Sequence, residues 1–228
     1  MNLEVFFDQY RAIVNQVDTV FKKVQEDYGE CVRCKVGCSD CCHALFDLTL
    51  IEALYIKAQF DKVFKDDARN AILERADEAD RAVYRVKRQA YKDHEKGRSE
   101  NEILEDMAAH RIRCPLLDEE DRCIMYADRP ITCRLYGIPT VVGEKAHTCG
   151  LSGFEKGEAY PTVKLDVIQS KLYELSSNLA ADIGSSYPKL AELLLPVSMA
   201  LLTDFTEEYL GVKQNPSADQ EKKGERNG

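Results

Sequence analysis

The feature that most constrains this chain is the segment CVRCKVGCSDCC, which sets Cys31, Cys34, Cys38, Cys41 and Cys42 within twelve residues. Free cysteine packs well as a small hydrophobe, but Arg33, Lys35, Ser39 and Asp40 stand between these cysteines, and no apolar core would choose them. A C-x2-C spacing lets two sulfurs of one tight turn face a single ion, at about 2.3 Å for zinc. Two such pairs occur here, Cys31/Cys34 and Cys38/Cys41, and Cys42 follows directly. Arg33 and Lys35 would offset the charge of several thiolates and favour the ligating form.

The compartment supports the same reading. The N-terminal stretch MNLEVFFDQYRAIVNQVDTV lacks the basic start, unbroken apolar run and small-residue cleavage site of a secretory leader. No run of about 18 apolar residues suggests a membrane helix. A cytoplasmic protein with reduced thiols is expected, and there a dense set of cysteines means metal binding or catalysis before disulfides. The total of nine cysteines is also odd, which disulfides within a monomer could not use up. With 228 residues, 44% hydrophobic and 31% charged, the chain can bury one sizeable core. Its net charge of -9 argues against a nucleic-acid partner, which draws on clustered Lys and Arg. No membrane partner is expected either.

Most of the chain reads as helix. Leu3, Phe6, Tyr10, Ile13, Val17, Val20 and Val24 recur at spacings of three and four, which predicts a helix to about Tyr28, ended by Gly29. After the cysteine loop over 29–46, Thr49 and Glu52 form a capping-box pattern for a second helix with Ile51, Leu54, Tyr55 and Ala58 on its apolar face. A long charged helix follows from Asp66 to about Lys96, its thin stripe made of Ala68, Ile72, Ala79, Val83, Val86 and Ala90, and Gly97 closes it. Ser99 and Glu102 cap a short helix that ends near His110. Near the C-terminus, Ile168, Leu172, Leu175 and Leu179 share one helix face. A last helix is expected from Pro188 through Leu190, Leu193, Leu194, Val197, Leu201 and Phe205, bent at Pro196. The polar stretch after Lys213 is expected to be disordered.

Residues 111–160 differ in character. They hold Cys114, Cys123, Cys133 and Cys149 among prolines and glycines, and read as irregular loops with one short strand over Cys123, Ile124, Met125 and Tyr126. So long an irregular stretch inside a compact domain needs something besides an apolar core to tie it down. A metal would do that. Eight cysteine ligands could hold two zinc ions. Alternatively, four could hold one [4Fe–4S] cluster and leave the others for structure or a second metal. Adjacent side chains tend to diverge, so Cys41 and Cys42 point to two centres or to one polynuclear centre. Arg129 and Arg134 beside the late cysteines could support the ligands or make ordinary ion pairs. His43 and His147 are minor candidates as ligands.

Other cysteine chemistries fit less of the pattern. Cys34, Cys38 and Cys41 reproduce the C-x3-C-x2-C spacing of radical-SAM loops, yet the following residues read as helix and not as alternating strands and helices. A C-x2-C thiol–disulfide oxidoreductase would want a strand before its motif. No Gly-rich dinucleotide loop, phosphate loop or Ser/His/Asp set is recognisable.

The cysteine cluster is followed by CPLL from Cys114, by CIMYADRP from Cys123 and by TCRLYG around Cys133. In this order they resemble the YkgJ-like cysteine-cluster proteins, which carry the CxxCxxCC zinc- or iron-chelating domain. The resemblance spans roughly residues 31–150. It implies metal ligands at Cys38, Cys41, Cys42, Cys114, Cys123, Cys133 and Cys149. The name pattern has two residues between its first and second cysteines, whereas here the choice lies between Cys34-x3-Cys38 and Cys31-x2-Cys34, so the first ligand is Cys31 or Cys34. A flagellin lysine methylase contains a similar domain with an iron–sulfur cluster, which keeps an enzyme reading open.

The expectation is a mainly α, irregular helical domain over residues 1–212 with a cysteine-rich metal-binding region at about 31–150 and a disordered tail at 213–228. Its function is chelation of zinc or iron, the iron as ions or as an iron–sulfur cluster, through Cys31, Cys34, Cys38, Cys41, Cys42, Cys114, Cys123, Cys133 and Cys149. Two alternatives stand beside it. One is a cluster-dependent enzyme, such as a protein methyltransferase or an electron-transfer component. The other is an interaction module whose metal is structural and whose helical surface binds a protein partner.

Overall fold

The computed structural model describes residues 1–35 and 37–212, and the tail expected over 213–228 lies outside the described residues. Helix α1 (Glu4–Asp27) buries Phe6, Phe7, Tyr10, Val14, Val17 and Val24. The stripe is therefore rotated slightly from the one read in the sequence. Val20 is exposed, and Phe7 and Val14 take the inward positions. The Tyr28 N–H closes the helix by donating to Val24 O at 2.8 Å.

Helix α2 (Leu50–Val63) is the axis of the fold. It is buried on nearly every side, from Leu50 to Phe60, as expected of a helix enclosed by its neighbours. One apolar cluster packs α1, α2 and α6 (Leu165–Asp182) together through Tyr10, Val17, Leu54, Leu135, Leu172 and Leu179. The other packs the opposite side of α2 against α3 (Asp66–Glu95) and α7 (Val197–Leu202) through Ile56, Phe60, Ile72, Ala76, Ala200 and Leu201. Leu193 and Phe205 touch both clusters. Helix α3 is about 45 Å long at 1.5 Å per residue. It buries Ile72, Ala76, Ala79 and Val83 while Ala68 stays exposed. Helix α4 (Glu100–Ala109) packs back on α3, and both expected capping boxes are present, Thr49 with Glu52 and Ser99 with Glu102.

The expected last helix is not one helix. Residues Leu190–Glu192 form a single 3-10 turn, Leu194–Pro196 form strand β5, and only Val197–Leu202 is α-helical. Proline disfavours helical backbone in the residue before it, so Leu195 is extended, and Pro196 itself starts α7 as its N-cap. Strand β5 pairs antiparallel with β1 (Asp47–Thr49), with Leu48 opposite Leu195. Strand β1 carries the chain out of the cysteine loop and into α2, and β5 leads into α7.

The region over 111–160 is more ordered than expected. It contains a short helix, α5 (Ile131–Leu135), and strands β2 (Thr140–Val142) and β3 (Lys145–His147). Both belong to a small sheet ordered β3-β2-β4, with β4 at Val163–Lys164. The expected strand at Cys123–Tyr126 reduces to one bridge between Leu117 and Cys123, and Tyr126–Asp128 turns as a 3-10 helix. Among the described residues the molecule is mainly helical, and no helix is long and apolar enough to cross a membrane.

Candidate metal centre

Two segments distant in sequence are stitched together by backbone. The first is a turn in which the Cys38 N–H donates to Lys35 O at 2.9 Å, continued by a 3-10 turn over Asp40–His43. The second begins at Arg111. The Cys114 N–H donates to Cys42 O at 2.7 Å, and the Ile112 N–H to His43 O at 3.0 Å. Arg111 adds a clamp, its Nη2 donating to Asp40 Oδ1 at 2.5 Å and to Asp40 O at 2.8 Å.

From Cys114 the chain makes a tight hairpin. The Ile124 N–H returns to Leu116 O at 2.9 Å. The turn is closed by the Asp118 carboxylate, which accepts the Glu120 and Arg122 N–H groups at 3.0 and 2.7 Å. Asp118 thus satisfies the loop from within, as Asx turns do, and the hairpin brings Cys123 back beside Cys114.

Cys133 lies on α5, which is held from both ends. Glu52, only 5% exposed, accepts the Thr49 N–H and hydroxyl at 3.1 and 2.9 Å and, with its other oxygen, the Ile131 N–H at 3.1 Å. One carboxylate therefore caps both α2 and α5. Burial pushes its pKa up, while the hydrogen bonds from Thr49 and Ile131 oppose that shift. Arg134 is 5% exposed and donates to Asp18 Oδ2 at 2.6 Å, to Arg129 O at 2.8 Å and to Ala127 O. It is a fastener of the 126–134 turn to α1. Arg134 thus makes both the ion pair and the backbone-carbonyl contacts open to it.

Around this scaffold the sulfurs gather. Cys34, Cys38, Cys41, Cys42, Cys114, Cys123 and Cys133 line one cavity of about 550 Å³. Cys34, Cys38 and Cys41 also line a neighbouring cavity, which Cys149 joins. Eight of the nine cysteines thus surround two adjoining spaces, and Cys31 lines neither. Its N–H donates to Tyr28 O at 2.9 Å, its carbonyl accepts the Gly153 N–H at 2.7 Å, and it packs against the α1 cluster. Gly137 is part of the wall. Its φ is +104°, and a Cβ there would lie 3.1 Å from Cys34 Cβ.

The Leu151 N–H donates to Cys149 Sγ at 3.4 Å, and the backbone N–H groups of Leu116 and Met125 act in the same direction on Cys114 and Cys123. Such N–H groups favour the thiolate over the thiol. The sulfurs also interact with each other. Cys41 is held down to about 3 because the Cys133 and Cys42 thiols donate to it, with Arg129 adding attraction. Cys133 and Cys42 are pushed up as donors, Cys133 toward Cys41 and Cys42 toward Cys123 and Cys41. Cys123 is lowered, mainly by Cys42. Burial pushes Cys114 up to about 12 and, with the charges of Cys38 and Cys41, Cys34 up to about 11. Cys149 is raised by burial and by Asp40, whose Oδ2 lies 3.4 Å from its sulfur.

This donor set fits a soft, thiophilic metal, since sulfurs converge with N–H groups aimed at them and Arg129 alongside. Among the described residues, no three His, Cys, Asp or Glu side chains already stand at the spacing of a single bound ion. The thiols are instead chained as neighbours, Cys133 to Cys41 to Cys42 to Cys123. Neither His43 nor His147 lines either cavity. His43 Nδ1 lies 3.0 Å from Ser39 O, and His147 is on exposed strand β3. Nothing in the sequence marks Glu52, Asp40, Arg111 or Gly137 as part of a metal site. The Thr49/Glu52 capping box was legible, but nothing local marks the second cap that Glu52 supplies.

Comparison with known families gives one match. The profile of the CxxCxxCC family, described as "putative zinc- or iron-chelating domain", matches residues 30–150, just over half of the chain. Searches of curated proteins and of solved structures find no match.

Proposed function

The chain belongs to the CxxCxxCC family, and from that premise we propose that it is a zinc- or iron-chelating protein whose metal is shared by both cysteine segments. The observation that carries this reading is the convergence of eight sulfurs on two adjoining cavities whose common wall is Cys34, Cys38 and Cys41. In the proposed ligand set Cys34, Cys38, Cys41, Cys42, Cys114, Cys123, Cys133 and Cys149 hold metal, and Cys31 is a packing residue. Eight thiols exceed what one tetrahedral ion takes, so the set favours more than one metal, as two zinc ions or as a centre of several irons. Such a metal supplies soft Lewis acidity as zinc, or electron transfer as iron–sulfur.

The chain's own residues do the positioning. The Cys42–Cys114 backbone bond sets the two segments edge to edge, Glu52 and Arg134 fix the helix of Cys133, and the Leu151 N–H helps hold charge on Cys149. Residues 1–212 are proposed as one domain, a reading supported by the two apolar clusters meeting on α2. The test is elemental analysis with absorption spectroscopy on anaerobically purified protein, with single Cys→Ser variants. Loss of bound metal on Cys41→Ser, and its retention on Cys31→Ser, is the expected outcome. Equal loss in both would overturn the ligand set.

A further inference from the structure

The cavity that holds seven of the thiols is not bounded by sulfur alone. Part of its wall is apolar. Phe46 follows the cysteine turn, Leu116 belongs to the hairpin, Ala79 and Val83 face in from α3, and Val197 opens α7. Ala79, Val83, Leu116 and Val197 are all buried. Four arginines also line this space, and they differ in one respect. Arg113 is paired with Asp121, Arg122 with Asp118 and Glu120, and Arg134 with Asp18. The Arg129 guanidinium has no carboxylate partner among the described residues. It lies 3.9 Å from the centre of the Tyr126 ring and donates to Tyr126 O.

A metal that only fastens a fold is closed in by its four protein ligands, while a reactive one keeps an open position. Here the thiols share a space of about 550 Å³ with an apolar wall and an arginine that has no carboxylate partner among the described residues, and about 300–1,000 Å³ is the usual size of a small-molecule site. From this juxtaposition we propose that the sulfur centre opens onto a binding pocket for a small amphipathic carboxylate. Its alkyl or aryl body lies on Phe46, Val83, Leu116 and Val197, and its head group pairs with Arg129. Apolar burial supplies the affinity, and the planar guanidinium supplies the two parallel donors that a carboxylate accepts. The inference takes its sulfur wall from the metal-chelation reading, but its apolar wall and its cation from residues that bind no metal.

The experiment uses the full chain as purified anaerobically, with metal content and probe binding measured on the same samples. The probe is anilinonaphthalenesulfonate, competed by octanoate and by the uncharged octanol. The wild type is expected to bind the probe saturably and to release it to octanoate at about tenfold lower concentration than to octanol, the margin of one charge-assisted pair. Arg129→Gln should remove the preference for octanoate. Val83→Trp should abolish probe binding with metal content unchanged, and Ala79→Leu, a smaller filling change, should weaken binding if the tryptophan variant does not fold. A wild type that binds no displaceable probe, or that releases it equally to octanol and octanoate, overturns the pocket. A wild type without metal overturns the chelation reading instead, and its probe binding still decides the pocket.

Discussion

The Cys114 N–H donates to Cys42 O at 2.7 Å, which joins the two cysteine segments through backbone at the wall of the sulfur-lined cavity. On the other side of each residue the support is a short loop: the 3-10 turn before Ala44 and the Asp118 hairpin after Cys114. If metal ties these loops, removing it frees their hydrogen bonds to open locally. The amides of Cys114 and Ile112 should exchange with solvent at least about tenfold faster after chelator treatment, while those of α2 change little. Mass-spectrometric hydrogen exchange reads this directly, and uniform protection in both states would argue against the fastening role.

Glu52→Ala removes the carboxylate that caps two helices at once and leaves the Thr49 and Ile131 N–H groups without their acceptor in a buried place. Each such group costs about 1–3 kcal/mol. The expected loss is therefore about 3 kcal/mol in a denaturant titration, with Cys133 displaced and metal content reduced. Glu52→Gln keeps one acceptor oxygen and should lose about half as much.

Gly137→Ala combines a strained backbone with a close approach, since φ is +104° and the new Cβ would meet Cys34 Cβ at 3.1 Å. Left-handed backbone is open to glycine and unfavourable for alanine. Cys34 must move for the variant to fold. We expect a fall in metal content comparable to Cys34→Ser and a stability loss of about 1–2 kcal/mol. Full metal content in Gly137→Ala would argue against a tight fit of Cys34 at the centre.

The pH dependence follows from which thiols keep protons in the metal-free protein. Cys34 and Cys114, pushed up to about 11 and about 12, are protonated at neutral pH, whereas Cys41, held down to about 3, is already a thiolate. Metal binding must displace the raised protons, so affinity falls as pH falls and rises toward alkaline pH. Cys41 contributes no such dependence near neutrality. Cys42, Cys133 and Cys149 are raised as well and keep their protons too. More than two protons therefore leave, and the zinc affinity of the metal-free chain should change by at least about a hundredfold per pH unit around neutrality. Competition titrations at several pH values measure it, and a flat profile would contradict the account.

Much of this architecture was legible because its signals are local. Helices α1 to α4 follow from periodicity and from the Thr49/Glu52 and Ser99/Glu102 caps, and the cysteine spacing marks the site before any fold is known. The misread elements depend on distant partners. Leu194–Pro196 carries apolar residues that continue a helical pattern, yet it is a strand because β1 offers it an edge and Pro196 disfavours helix at Leu195. The β3-β2-β4 sheet hides for the same reason, its parallel member β4 coming from beyond the cysteine region. At the site, the choice between Cys31 and Cys34 has no local marker. Both lie against the α1 cluster, and only the path of the turn carries Cys34 to the shared wall of the two cavities.

The central claim is that sulfurs from both cysteine segments hold metal together. Elemental analysis of anaerobically purified wild type, Cys31→Ser and Cys114→Ser tests it most directly. Zinc or iron above one equivalent in the wild type and Cys31→Ser, with a marked loss in Cys114→Ser, is the predicted result. Metal content unaffected by Cys114→Ser, or no metal in the wild type, would contradict it.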